Sequence, residues 1–188
     1  MKITTALLAL AVLTSPASAA DYGFELKPEN TKVLWTLGDV LHTVNGTFKI
    51  KRGKIDFDPD SNKASGQVVV DVTSGESGTE ARDKRMHANV LESAKYPEAV
   101  FTPASFEGKL AVPGTADIRV HGTFTIHGAA HEVTMNAQVT TTADKIQSKI
   151  TLEIPYVAWG MKDPSNFLLK VNKTVQMSIE TSGGLQKH

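Results

Sequence analysis

The sequence predicts an all-β domain of antiparallel strands, packed as a sandwich or a closed barrel, and three observations predict it. Apolar and polar residues alternate with period two through most of the chain, the pattern of strands that bury one face. The alternating runs are separated at hairpin spacing by turn-forming clusters such as Asp58-Pro59-Asp60-Ser61-Asn62, Val112-Pro113-Gly114-Thr115 and His127-Gly128-Ala129-Ala130. Helical signals are confined to one stretch, near residues 78–95. Strands with single apolar faces can bury them only against one another, and closing the sheet also removes the exposed edges that invite aggregation.

The first 20 residues form an address. Met1 and Lys2 give a short basic start, ITTALLALAVLTSP is an uncharged apolar run, and Ala17-Ser18-Ala19-Ala20 is a small-residue cleavage site, together a secretory signal peptide over residues 1–20. The run is too short to span a bilayer, and no later segment approaches about 20 apolar residues, so an exported domain that is not transmembrane is expected. Removing 20 residues from 188 leaves 168, residues 21–188, as a single domain able to bury a sizeable core. The chain has no Cys, so its apolar core must hold the fold without disulfides.

The strands follow in order. Val33, Trp35 and Leu37 alternate first, then Val44, Gly46, Phe48 and Ile50, which Lys51-Arg52-Gly53-Lys54 separates as a turn from Ile55 and Phe57. Val68, Val70 and Val72 precede the helical stretch, and Ala99 and Phe101 resume the β pattern after it. Ile118 to Ile126, His131 to Val139 and Ile146 to Ile154 are the cleanest alternations, and Val171, Val175, Met177 and Ile179 close the series of about nine strands. In the helical stretch, Ser77-Gly78-Thr79-Glu80 fits a capping box that starts a helix near Gly78. Asp83 and His87 make an i,i+4 pair, and Pro97 ends the segment.

Charge and motif content narrow the function. Without Lys2 the mature chain carries 19 basic and 20 acidic side chains, a balance of −1 that gives no global field for nucleic acid or anionic lipid. The basic clusters Arg82, Lys84, Arg85 and Lys49, Lys51, Arg52, Lys54 read as solvated faces. No G-x-S-x-G, no Cys and no Ser with a plausible nearby base is present; Glu76, Glu80 and Asp83 could pair as carboxylates, yet glycosidase carboxylates need a substrate cleft between them and a capping-box Glu is already occupied, so no enzyme is expected. His127 and His131 flank a turn and, with His121 or His42, offer a metal-binding alternative, although H-E-x-x-H is absent. A second alternative is a chaperone-like stress or interaction module, using the barrel mouth or the loop YVAWGMKDP (residues 156–164) with Trp159 and Met161 exposed.

Five motifs in order carry a resemblance: Gly46-Thr47-Phe48; Val72-Thr73-Ser74-Gly75; Arg82-Asp83-Lys84-Arg85-Met86-His87; Tyr96-Pro97-Glu98-Ala99-Val100-Phe101; and the hairpin Gly122 to Val133, GTFTIHGAAHEV. In these the chain resembles the YceI-like family of bacterial periplasmic proteins over nearly all of its mature length. It departs from that pattern at Lys27-Pro28-Glu29-Asn30-Thr31, where the family has Asp-x-x-His-Ser. The resemblance implies a lipocalin-like antiparallel β-barrel of about eight strands with a helical crossover, a periplasmic or secreted location, and no catalytic residues. It also implies a lipid or polyisoprenoid ligand, such as an isoprenoid quinone, in an apolar lumen, with no other cofactor.

The inward residues Trp35, Phe48, Val70, Phe101, Phe124, Met135 and Ile150 suit either a solid core or a tunnel wall. Apolar strand faces are ordinarily core; the resemblance favours the tunnel, closed at one end by Met86, Val90 and Leu91 of the crossover. Arg82 and Asp83 are then expected to pin that lid by hydrogen bonds to the barrel rim. A monomer or a homodimer is compatible with this reading.

Overall fold

The computed structural model describes residues 22–38, 42–167 and 169–188; the expected signal peptide lies outside them. Nine strands form one antiparallel sheet: β1 (Tyr22–Leu26), β2 (Thr31–Gly38), β3 (Thr43–Asp58), β4 (Lys63–Glu76), β5 (Glu98–Glu107), β6 (Gly114–Ile126), β7 (Ala129–Thr141), β8 (Lys145–Ile154) and β9 (Val175–Lys187). Neighbours run β3-β2-β9-β8-β7-β6-β5-β4, and β4 pairs back with β3, so eight strands close a barrel. The ninth, β1, pairs with β3 and β9 just as β2 does, one level further along. The two short strands therefore share one stave, joined by a bend at residues 27–30 where the Lys27 N–H donates to Asn30 Oδ1 at 2.8 Å.

This sharing explains a difference from the sequence pattern. Lys51-Arg52-Gly53-Lys54 is not a turn but the middle of the 16-residue β3, which pairs with β2 through Phe48 and with β1 from Gly53 onward. A bulge against β4 between Ile50 and Arg52 shifts the pleat by one residue, so the apolar positions change from even (Phe48, Ile50) to odd (Ile55, Phe57). A broken alternation with basic residues at the break imitates a loop. The strand β1 precedes the expected series, which starts at Val33; Tyr22, Phe24 and Leu26 alternate in it, and Phe24 and Leu26 are buried. At the other terminus the strand begins at Val175, later than the Val171 expected.

The β4–β5 connection is the helical crossover. An α-helical turn, α1 (Glu80–Arg85), continues as a π-helical turn over Met86–Val90. The expected capping box does not form: the N-cap is Thr79, without a side-chain capping bond. Ser77 instead donates its N–H to Asp83 Oδ1 at 2.9 Å, with its hydroxyl also bonded to that carboxylate. Arg82 Nε donates to Ser77 Oγ at 2.7 Å. Arg82 and Asp83 therefore tie the crossover to its own approach from β4. The expected Asp83–His87 pair is replaced by a Glu80–Lys84 ion pair at 2.7 Å.

Two apolar clusters occupy the barrel. One, around Phe24, Leu26, Phe57, Phe106, Leu110 and Ile118, lies toward the end bearing the β3–β4, β5–β6 and β7–β8 turns. The other, around Met135, Leu152, Ile154, Tyr156 and Met161, lies toward the crossover and includes Val90, Leu91, Phe101, Phe124 and Trp159 at its edge.

Candidate lipid-binding lumen

The inward faces do not meet in a solid core. A cavity of about 680 Å³ runs along the barrel interior, from Phe24, Phe57 and Leu110 at one end to the crossover at the other. Trp35, Phe48, Val70, Met86, Leu91, Phe101, Phe124, Met135 and Ile150, the residues singled out from sequence, all line it. Its volume lies within the range of about 300 to 1,000 Å³ typical of small-molecule sites.

Three of the lining aromatic rings lie against a glycine of the neighbouring strand. A Cβ on Gly46 would fall 2.3 Å from the Trp35 indole, and one on Gly122 would fall 2.8 Å from the Phe101 ring. At Gly75 it would fall 2.5 Å from the Phe48 ring. Each ring occupies space that a side chain there would have filled, the cross-strand aromatic–glycine pairing of curved sheets. Large apolar residues thereby line a hollow.

The crossover covers one end and is held on both sides. On the β4 side, His87 bonds the Gly75 carbonyl through Nε2 at 2.7 Å and Ser93 Oγ through Nδ1 at 3.0 Å. On the β5 side, Glu92 reaches His127 Nε2 at 2.7 Å, and the Tyr96 ring lies 4.4 Å from the His127 ring and against Gly128. Met86, Val90 and Leu91 face the lumen from this fixed segment. The Arg-Asp, Tyr-Pro and His-Gly motifs are thus parts of a structural clamp.

Between the crossover and the β8–β9 loop, residues 155–174, the lining turns polar. Arg82, Arg85 and Asn89 contribute from one side and Lys162, Asp163 and Asn166 from the other. Hydrogen bonds from Ser165 hold the Asp163 carboxyl below its ordinary range, with Lys173 and Lys170 adding to the effect. This loop contribution has no signal in the sequence, because no periodicity marks a loop that folds over a barrel end. The expected exposure of Trp159 and Met161 is not found. Met161 is buried in the second cluster, and Trp159 stacks on His131 at 4.0 Å with an interplanar angle of 6°. The tip of the loop presents Phe167 instead.

The histidines point in separate directions. His121 lies between Glu107 and Thr134, His127 meets Glu92 and His131 faces Trp159. Among the described residues no three His, Asp or Glu side chains converge as metal ligands, and no helix is long and apolar enough to cross a membrane.

A closed eight-stranded antiparallel barrel with a hollow apolar interior and a helical crossover over one end is a lipocalin-like architecture. The model of the YceI-like domain matches residues 24–182, and the chain belongs to that family. Among curated relatives, a UPF0312 protein of Vibrio campbellii (strain ATCC BAA-1116) is 30% identical over 136 residues, covering 70% of this chain and 69% of the relative. Protein YceI of Escherichia coli O17:K52:H18 is 30% identical over 127 residues, which span 65% of this chain and 63% of that protein.

Solved structures share the fold at low identity. A polyisoprenoid-binding domain from Saccharophagus degradans, implicated in plant cell wall breakdown, superposes with a TM-score of 0.69 at 19% identity, covering 90% of this chain and 100% of that one. Burkholderia cenocepacia BcnA gives 0.68 at 19% identity, with 84% and 98% covered. The Campylobacter jejuni YceI protein gives 0.59 at 17% identity, with both chains covered in full.

Proposed function

We propose that the protein is an exported, periplasmic carrier that holds a lipid or polyisoprenoid chain, such as an isoprenoid quinone, in the barrel lumen and performs no chemistry on it. The observation that carries this reading is the 680 Å³ apolar cavity. With each methylene given the ~30 Å³ that a water molecule occupies in the liquid, that space takes roughly 20 carbons. At about 0.8 kcal/mol per buried CH₂, such a chain gains roughly 16 kcal/mol of gross transfer energy. Association costs of about 4 to 15 kcal/mol leave a net that is useful for a carrier. The polar mouth around Arg85, Asn89 and Lys162 suits the chain's polar end, left at the solvent boundary.

The leader-like residues 1–20 support export, and N-terminal sequencing of protein from a periplasmic extract tests it, a start near Ala20 or Asp21 being expected. Titration of the delipidated protein with a fluorescent polyene chain tests the lumen. Saturable 1:1 binding that an isoprenoid alcohol of about 20 carbons displaces is expected; no saturable binding would overturn the assignment.

A further inference from the structure

The β8–β9 loop carries a feature that the lumen does not use. Phe167 is 95% exposed while its neighbours Asn166 and Leu169 line the mouth of the cavity. A large apolar ring held in water beside the opening of an apolar tunnel marks a contact surface. Its surroundings specify what it contacts. The loop carries Lys162, Lys170 and Lys173 against the single acid Asp163, and Asp163 is itself paired with Lys173 at 3.9 Å. Across the mouth, Arg82 and Arg85 line the cavity. The acids of the crossover are engaged elsewhere, Glu80 with Lys84, Asp83 with Ser77 and Glu92 with His127, and Arg85 and Lys162 make no ion pair among the described residues.

An exposed aromatic ring set among unneutralised cations fits the interface of a bilayer rich in anionic lipid, where apolar insertion and attraction to headgroups act together. We propose that this end of the barrel docks reversibly on an anionic phospholipid bilayer, with Phe167 in the interface and the lysines on the headgroups, so that chains pass between membrane and lumen without crossing water. This rests on the lumen being a lipid site. The physical advantage is direct: a chain leaving through solvent would expose every carbon that the lumen had covered, whereas a docked mouth exchanges one apolar surrounding for another.

The test is sedimentation of the mature chain with vesicles of phosphatidylethanolamine and phosphatidylglycerol, and separately with phosphatidylcholine vesicles. Partition onto the anionic vesicles that falls with added salt is expected, with weaker partition onto phosphatidylcholine. Phe167→Asp should lower partition about tenfold and Lys170→Glu about fivefold. Both variants should keep the wild-type circular dichroism spectrum and full retention of the fluorescent chain, since neither residue lines the lumen. Wild-type protein that stays in the supernatant with every vesicle, or Phe167→Asp that sediments like wild type, overturns the docking. Protein that sediments as described but retains no chain upholds the docking and overturns the lumen's function instead.

Discussion

Filling the lumen from its wall separates a hollow barrel from a packed one. Ala137 on β7 is 4% exposed, lies between Ile118 and Ile150 in the register and lines the cavity. Ala137→Phe adds six carbons there. In a close-packed core such overpacking forces neighbours off their rotamers and costs about 1 to 3 kcal/mol or more. In a cavity of 680 Å³ the ring has room and gains contacts, so the delipidated protein should unfold in denaturant at the wild-type midpoint or above it. The ring also displaces about six ligand carbons, and at about 0.8 kcal/mol each the chain loses roughly 5 kcal/mol, or more than three orders of magnitude in Kd. Chemical denaturation of the delipidated protein, paired with titration of a fluorescent chain, reads both quantities. Destabilisation beyond about 3 kcal/mol with unchanged ligand affinity would refute the hollow lumen.

Other perturbations act on the same architecture. Phe124→Glu places a carboxylate on the cavity wall, where an unpaired charge is poorly solvated; chain retention should be lost while circular dichroism still reports a folded barrel. Gly75→Ala sets a methyl against the Phe48 ring and 3.2 Å from Met86 Cε, with no backbone atom among its nearest contacts, so both side chains should move into the lumen and weaken chain binding about tenfold at a stability cost under about 3 kcal/mol. Burial, with the Asp163 charge nearby, pushes the Tyr156 phenol up to about 12. The unfolded chain ionises this phenol near its ordinary value of about 10, so its contribution is complete below about pH 10 and is lost as the pH rises through about 12. Tyr156→Phe should flatten that alkaline limb in pH-dependent denaturation. It should also cost about 1 to 3 kcal/mol at neutral pH, because the Asn172 carbonyl loses the 2.8 Å bond from the phenol.

Inward positions on regular strands were legible because a pleat exposes its alternation directly. Phe101, Phe124, Met135 and Ile150 lie where period two places them. The alternation breaks where β3 passes from one partner to another, and there the bulge at Ile50/Arg52 made one strand look like two. The crossover was legible as a segment but not in its bonds: Ser77 and Glu80 have the spacing of a capping box, yet the Asp83 carboxylate competes successfully for Ser77. The mouth was least legible of all. Lys162, Asp163 and Asn166 come to the lumen through the path of a loop, and that path also buries Met161 while leaving Phe167 in water. Composition treats those two apolar residues alike.

The most direct measurement is native mass spectrometry of the protein purified without detergent from its own cells, followed by organic extraction and identification of what is released. A stoichiometric apolar chain, accommodating roughly 20 carbons in the lumen at about 30 Å³ each, is the expected result. Repeated recovery of the bare polypeptide mass, with nothing apolar in the extract, would contradict the carrier.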